Sequence, residues 1–363
     1  MSPSITVDPE VRVMVVDDSA FMRTALTRMI QSEQGFSVVG TASSGPDALA
    51  KIPALNPDIV TLDVQMPGMD GLATLREIMS RFPRPVIMVS AATEKDADVT
   101  FNALSAGAFD YVPKQMMSTS LEIAHIRSDL IAKIRAAAQT RQPRPSHPPR
   151  RKPPQSGQPL PHVPRLFSPE IVAIACSTGG PKALEQILPC LPANFPLPIL
   201  IVQHMPPGFT KAFAQRLCSR CAIDVHEAVQ GEAVKTGTAY LCPCGLHMRV
   251  VRPALGSGTL ISLDMEPADS LHIPSADVLM TSVAAAYKSH ALGVILTGMG
   301  NDGAEGMKAI YREGGFTIGQ DEATCAVYGM PRACAELGVL MRVVPLPEIA
   351  REIISTVRTR LRA

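Results

Sequence analysis

Ser177, His204 and Asp302 are of the three types that acyl transfer from an ester requires. Each closely follows an apolar run: Ser177 after IVAIAC, His204 after PILIVQ, and Asp302 in the loop after LGVILTG. A serine hydroxyl is a poor nucleophile until an imidazole within hydrogen-bond reach removes its proton, and the imidazole needs a carboxylate to fix its tautomer and stabilise its charged form. His204 is then the base and Asp302 the group that orients it. The Gly-Gly-Pro turn after Thr178 reads as a helix start, which offers free N–H groups and a positive dipole end. The N–H of Thr178 and one from the glycine-rich loop at Met299 are the candidate oxyanion donors. Taken singly, Ser177 fits a turn residue, His204 a strand-end histidine and Asp302 a helix cap. Gly179 and Gly180 could also cradle a phosphate, but Lys182 alone does not make a P-loop. Cys176 is a rival nucleophile, although neighbouring side chains on a strand point to opposite faces.

A second constellation lies earlier in the chain. Asp17 and Asp18 follow VRVMVV, Asp63 closes DIVTLD, Ser90 closes PVIMVS and Lys114 follows FDYVP. Carboxylates gathered at one point repel one another unless a divalent cation neutralises them, and oxygen-only ligands suit Mg2+. A lysine and a hydroxyl beside them suit the oxygens of a phosphoryl group.

Both sets need elements that carry polar residues at the carboxyl ends of strands. In the first 135 residues, five apolar runs alternate with five helical patterns, which predicts a parallel sheet covered on both faces. After residue 167 the alternation resumes. The strand candidates are IVAIA, PILIVQH, AYLCP, RVVR, LISLD and LGVILTG; the helices are PKALEQIL, FTKAFAQRLC, SADVLMTSVAAAYKS, GAEGMKAIYRE and YGMPRACAELG. This predicts a second α/β sheet with a hairpin-like insertion near residues 240–264. In open α/β sheets, ligands bind outside the carboxyl ends of the strands. The stretch 136–167, crowded with Pro, Arg, Gln and Ser, reads as an extended linker.

Composition narrows the class. The chain has 363 residues, 46% hydrophobic and 18% charged, with a formal net charge of +1, so no global charge favours nucleic acid or membrane. No apolar run reaches the roughly 20 residues of a spanning helix and the first residues do not resemble a signal peptide, so a cytoplasmic protein is expected. The eight cysteines are expected to stay reduced. Cys218 with Cys221, and Cys242 with Cys244 near His247, have spacings that zinc could use, with ordinary packing as the alternative.

The segments VVDDS, LDVQMPGMDG, MVSA and YVPK resemble the receiver domain of two-component response regulators. That resemblance implies a flavodoxin-like fold in which Asp63 accepts a phosphoryl group from a histidine kinase. It implies that Asp18, Asp63 and the Gln65 carbonyl hold Mg2+, that Asp17 assists, that Ser90 and Lys114 bind phosphoryl oxygens, and that Tyr111 is a switch aromatic. Gln115 stands where that family usually has proline. Together with STGGP, VQHMP, ILTGMGNDGAEGM and QDEATCAVYGMP, the chain resembles the chemotaxis methylesterases of the CheB family. The resemblance implies a receiver at 10–135, a linker at 136–167 and an α/β doubly wound catalytic domain at 168–360. It implies hydrolysis of glutamate methyl esters on chemoreceptors with release of methanol, deamidation of particular receptor glutamines, and a Ser177, His204, Asp302 triad without a catalytic-domain cofactor. Ala175 and Cys176 replace the glycine and alanine usual before the nucleophile. A non-catalytic receptor-binding response regulator is the alternative, and no basic recognition helix for DNA is visible.

Overall fold

In a computed structural model, the alternating pattern becomes two α/β units that divide at Pro148. The structure describes residues 10–91, 94–114, 120–141, 167–253 and 258–358. The first unit runs β1 (Val11–Val16), α1 (Ala20–Gln31), β2 (Phe36–Ala42), α2 (Gly45–Leu55), β3 (Ile59–Asp63), α3 (Gly71–Arg81), β4 (Val86–Ala91), α4 (Glu94–Ser105), β5 (Asp110–Lys114) and α5 (Ser120–Arg141). Its strands are all parallel in the order β2-β1-β3-β4-β5. Helices cover both faces, so β3 is buried along its whole length, and a continuous apolar run is what such a strand requires. Helix starts follow capping chemistry: Ser19, Ser44 and Asp70 accept N–H groups of Met22, Asp47 and Ala73.

Helix α5 continues to Arg141, past the expected domain limit at 135. Ala136 and Ala137 are buried, and an alanine run is the strongest helix former, so the start of the proposed linker belongs to the helix. Gln115 and residues 142–166 lie outside the described residues.

The second unit runs β6 (Ile171–Cys176), α6 (Gly180–Ile187), β7 (Ile199–Gln203), α7 (Thr210–Cys218), β8 (Asp224–Glu227), β9 (Thr238–Leu241), β10 (His247–Val251), β11 (Leu260–Asp264), α8 (Ala276–Tyr287), β12 (Ala291–Ile295), α9 (Ala304–Arg312), β13 (Phe316–Gln320), α10 (Met330–Glu336), β14 (Arg342–Val344) and α11 (Leu346–Arg358). Seven strands form one parallel sheet in the order β14-β13-β12-β6-β7-β9-β8. The antiparallel hairpin is confined to β10 and β11, and Tyr240 lies instead in β9 of the main sheet, where all four residues are buried. Strands β8, β13 and β14 were not expected: β8 is the polar edge segment DVHE and β14 only three residues long. The chain leaves β6 toward β7 on one side and returns to β12 on the other. That reversal of direction opens a crevice at the carboxyl end of β6. Among the described residues no helix is long and apolar enough to cross a membrane.

Candidate active site

The turn after β6 is built to present one hydroxyl. Ser177 N–H donates to the Thr297 carbonyl beyond β12 at 3.0 Å, and Gly180 N–H closes the turn on the Ser177 carbonyl at 2.7 Å. Gly179 has φ of +77°, which a side chain resists, and a Cβ there would meet Ala326 Cβ at 2.6 Å. A Cβ on Gly180 would lie 2.0 Å from Gln203 Oε1 and 2.9 Å from Cys176 Cβ. Gly180→Ala is therefore expected to cost about 1–3 kcal/mol, read as a lower urea midpoint at unchanged slope.

Gln203, the last residue of β7, joins this turn to the next strand end, a part its place at the close of an apolar run did not announce. Its amide nitrogen donates to the carbonyls of Ser177 (3.0 Å) and His204 (2.8 Å), and its oxygen accepts the Cys176 thiol at 3.0 Å. One buried amide thus ties the serine turn to the histidine. Cys176 is fully buried and burial pushes its thiol up, so the thiolate needed for attack is suppressed. Lys182 is exposed on α6.

His204 N–H donates to the Cys176 carbonyl at 3.1 Å, continuing the β6–β7 pairing one step past the strands. Its ring Nε2 lies 2.8 Å from Asp302 Oδ2, while Nδ1 is buried and makes no hydrogen bond. A carboxylate only accepts, so Nε2 presents its N–H to Asp302. The His272 ring stacks on that of His204, with centroids 4.3 Å apart and planes 18° from parallel.

Asp302 does not cap its own helix; Gly303 takes that position for α9. Instead its carboxylate sits at the start of α8. Oδ2 accepts the Ala276 N–H at 2.7 Å, and Oδ1 accepts Asp277 N–H at 3.0 Å and the Ser275 hydroxyl at 2.8 Å. Burial alone would raise this carboxyl, but the hydrogen bond and charge of His204 and the two helix N–H groups hold it well below the usual carboxylate range. His247 is wholly buried, accepts Ser275 N–H on Nδ1 at 3.0 Å and donates from Nε2 to the Pro267 carbonyl at 3.2 Å. It braces the loop before α8 and is committed on both nitrogens.

Among the described residues, neither Thr178 N–H nor Met299 N–H donates to a protein acceptor. Gly298, next to Met299, lies against Ser177, since a Cβ there would be 3.0 Å from Ser177 Cβ. All eight cysteines are free, with Cys218 donating to Asp224 Oδ1 at 3.7 Å and Cys244 to the Met205 carbonyl at 2.7 Å. Cys242 is buried, and burial pushes the Cys221 thiol up to about 11.

In the first unit, the carboxylate oxygens of Asp17, Asp18 and Asp63 lie within 4.8 Å of one another. Lys114 Nζ sits 2.7 Å from both Asp17 Oδ2 and Asp63 Oδ2. Burial pushes the Asp63 carboxyl up to about 6 against the pull of Lys114. Burial opposes the charge on Lys114, yet its bonds to Asp17 and Asp63 raise it on balance. Asp18, Asp63, Gln65 and Lys114 line a cleft of about 590 Å³. Three carboxylates and one ammonium leave an excess of negative charge on hard oxygen donors, which fits Mg2+. Ser90 is fully buried and its hydroxyl accepts that of Thr100, so it stands beside Asp63 in the sheet without lining the cleft. Tyr111 is also buried, with Lys133 Nζ 5.4 Å from its ring centroid.

The family model for CheB methylesterase matches residues 172–353, and that for the response regulator receiver domain matches residues 13–125. A protein-glutamate methylesterase/protein-glutamine glutaminase of Nitratidesulfovibrio vulgaris is 45% identical over 95% of this chain and 99% of its own length. One from Symbiobacterium thermophilum is 46% identical over 94% of this chain and 95% of its own. The crystal structure of the Thermotoga maritima CheB methylesterase catalytic domain matches with a TM-score of 0.50 at 42% identity, covering 52% of this chain and 98% of that domain. The chain therefore belongs to the CheB family of protein-glutamate methylesterases/protein-glutamine glutaminases, hydrolases of chemotaxis that join a receiver domain to a methylesterase domain.

Proposed function

We propose that the second domain is a serine esterase that hydrolyses glutamate methyl esters on chemoreceptors, with Ser177 as nucleophile, His204 as base and Asp302 as its orienter. The observation that carries this reading is the state of His204: its Nε2 is held by Asp302 and its buried Nδ1 is left without a partner beside the serine turn. Ser177 Oγ attacks the ester carbonyl carbon while Nδ1 takes the hydroxyl proton. The oxyanion is received by the N–H groups of Thr178 and Met299. The imidazolium returns its proton to the departing methoxide, and methanol leaves an acyl-serine. Water, deprotonated by Nδ1, then releases the glutamate carboxylate and regenerates Ser177. A glutamine side chain follows the same course with ammonia leaving. The ring nitrogens thus exchange the roles they have in trypsin-like triads, where the aspartate holds Nδ1. Methanol release from methylated receptor by the intact protein and by Ser177→Ala tests this reading.

The receiver, expected over 10–135, supplies the control, and the proline-rich stretch that follows tethers it to the catalytic domain, expected over 168–360. A chemotaxis histidine kinase donates a phosphoryl group to Asp63 in the cytoplasm. Bound Mg2+, held by Asp18, Asp63 and the Gln65 carbonyl with Asp17 beside it, would offset charge on the transferring group; Lys114 and Ser90 take phosphoryl oxygens. Ser90 and Tyr111 then carry the change away from the acidic cleft. With Mg2+ and acetyl phosphate as donor, methanol release by the intact protein is expected to rise about 5–150-fold, the span of ordinary allosteric coupling. Asp63→Asn is expected to show no rise; an equal rise in that variant would remove Asp63 from the control.

A further inference from the structure

Helices α8 and α9 hold each other's N-termini. Asp302, in the loop before α9, accepts the Ala276 and Asp277 N–H groups that open α8. Asp277, in the first turn of α8, returns the contact: its Oδ1 accepts Gly306 N–H, in the first turn of α9, at 2.7 Å. The two helices meet closely at this point, for a Cβ on Gly306 would lie 2.5 Å from Met280 Cβ and 3.2 Å from Asp277 Cα. Asp277 and Asp302 also face each other. Burial, with the nearby Asp302 charge, pushes the Asp277 carboxyl up to about 6.

We propose that Asp277 is a positioning residue for the esterase: by clasping the start of α9 it fixes the loop that aims Asp302 at His204. The inference rests on the triad reading. Each helix start has free N–H groups that need an acceptor; Ser275 caps Val278 N–H of its own helix, and Ala276, Asp277 and Gly306 N–H are met by carboxylates carried by the other helix or its leading loop. Loss of the Asp277 side chain leaves Gly306 N–H without its partner and releases one end of the loop. The Asp302 carboxylate, which must stay within hydrogen-bond reach of His204 Nε2, is then free to drift. A displacement of about 1 Å at a catalytic group costs about 10²-fold in rate. Asparagine keeps an oxygen for Gly306 N–H, so the clasp survives in that variant.

The test measures kcat and KM for methanol release by the intact protein, Asp277→Ala, Asp277→Asn and Asp302→Ala, with circular dichroism of each. Asp277→Ala is expected to lose kcat about 10–100-fold with KM within about twofold, and Asp277→Asn to stay within about threefold of the parent. Where the alanine variant does not fold, Asp277→Glu, which displaces the acceptor by one methylene, is expected to show the same fall in kcat. Full kcat in a folded Asp277→Ala, or equal damage in the asparagine variant, overturns the clasp while leaving the triad in place. Unimpaired Asp302→Ala overturns the triad reading itself.

Discussion

Ser177→Ala is expected to lower kcat for methanol release by about 10⁴–10⁶-fold, with the receiver and the fold intact. Removing the nucleophile of a comparable hydrolase leaves only the contribution of binding and oxyanion donors. No neighbour can take over the attack here. Cys176 is fully buried, its thiol is pushed up by burial and it is hydrogen-bonded to Gln203. The backbone of the turn does not depend on the serine side chain, because its bonds run from Ser177 N–H to Thr297 and from Gly180 N–H to the Ser177 carbonyl. Unfolding temperature should therefore move little, so loss of rate is separable from loss of fold. The assay is methanol release from methylated receptor, with thermal melts alongside. Parent-level release by a folded Ser177→Ala would assign the chemistry to another group and favour the receptor-binding alternative.

What was readable in sequence follows from distance along the chain. Ser177 and His204 were legible because each breaks an apolar run at its end, and a parallel sheet brings strand ends to one edge. Asp63 and Lys114 were legible for the same reason. Asp302 was legible as a residue type in a loop, but not its setting: its partners Ser275, Ala276 and Asp277 lie in a different segment, joined only by packing of α8 on α9. Gln203 left a signal, a polar residue closing PILIVQ, yet two of its three bonds reach the end of β6 and the turn after it. His272 left none, because stacking on His204 depends on the path of the loop before α8. Ser90 was legible as the hydroxyl closing an apolar run, but its contact with Thr100 of α4 was not, since that depends on how the helix packs on the sheet. Strand β8 was missed because at the sheet edge, pairing only β9, it needs little apolar surface to belong there.

The two sites use one architecture for opposite electrostatic ends. In the receiver, burial raises Asp63 and gathers negative charge, a cost that a cation and then a phosphoryl group can relieve. In the esterase, the hydrogen bond and charge of His204, and after them the helix N–H groups of Ala276 and Asp277, hold Asp302 low against burial, which favours the carboxylate that stabilises the imidazolium forming on His204. The first arrangement stores a demand for a ligand. The second needs none to hold its charge.

Asp302→Asn is expected to lower kcat by about 10⁴-fold while changing KM little, and to cost about 1–3 kcal/mol of stability in the catalytic domain. Both carboxylate oxygens are saturated with donors: Ser275 hydroxyl and Asp277 N–H at Oδ1, Ala276 N–H and His204 Nε2 at Oδ2. An amide has one acceptor oxygen and one donor nitrogen, so either orientation turns an N–H toward N–H groups. If the amide oxygen faces Oδ1's partners, the NH2 meets His204 Nε2 and drives its proton to Nδ1. That tautomer cannot take the Ser177 proton. If the amide flips, Nε2 keeps an acceptor but the NH2 faces Asp277 N–H and must rely on the Ser275 hydroxyl turning to accept. The α8 start is then unsatisfied, which sets the stability cost. Two measurements test the cases: kcat against pH for methanol release, and the urea midpoint of the same variant. Both orientations lower the midpoint, since the NH2 faces Ala276 N–H in the first and Asp277 N–H in the second, but only the first gives a deep loss of rate that persists across the pH profile. An Asp302→Asn variant with parental kcat and midpoint would show that His204 takes its tautomer from some other group, and the assignment of Asp302 would fall.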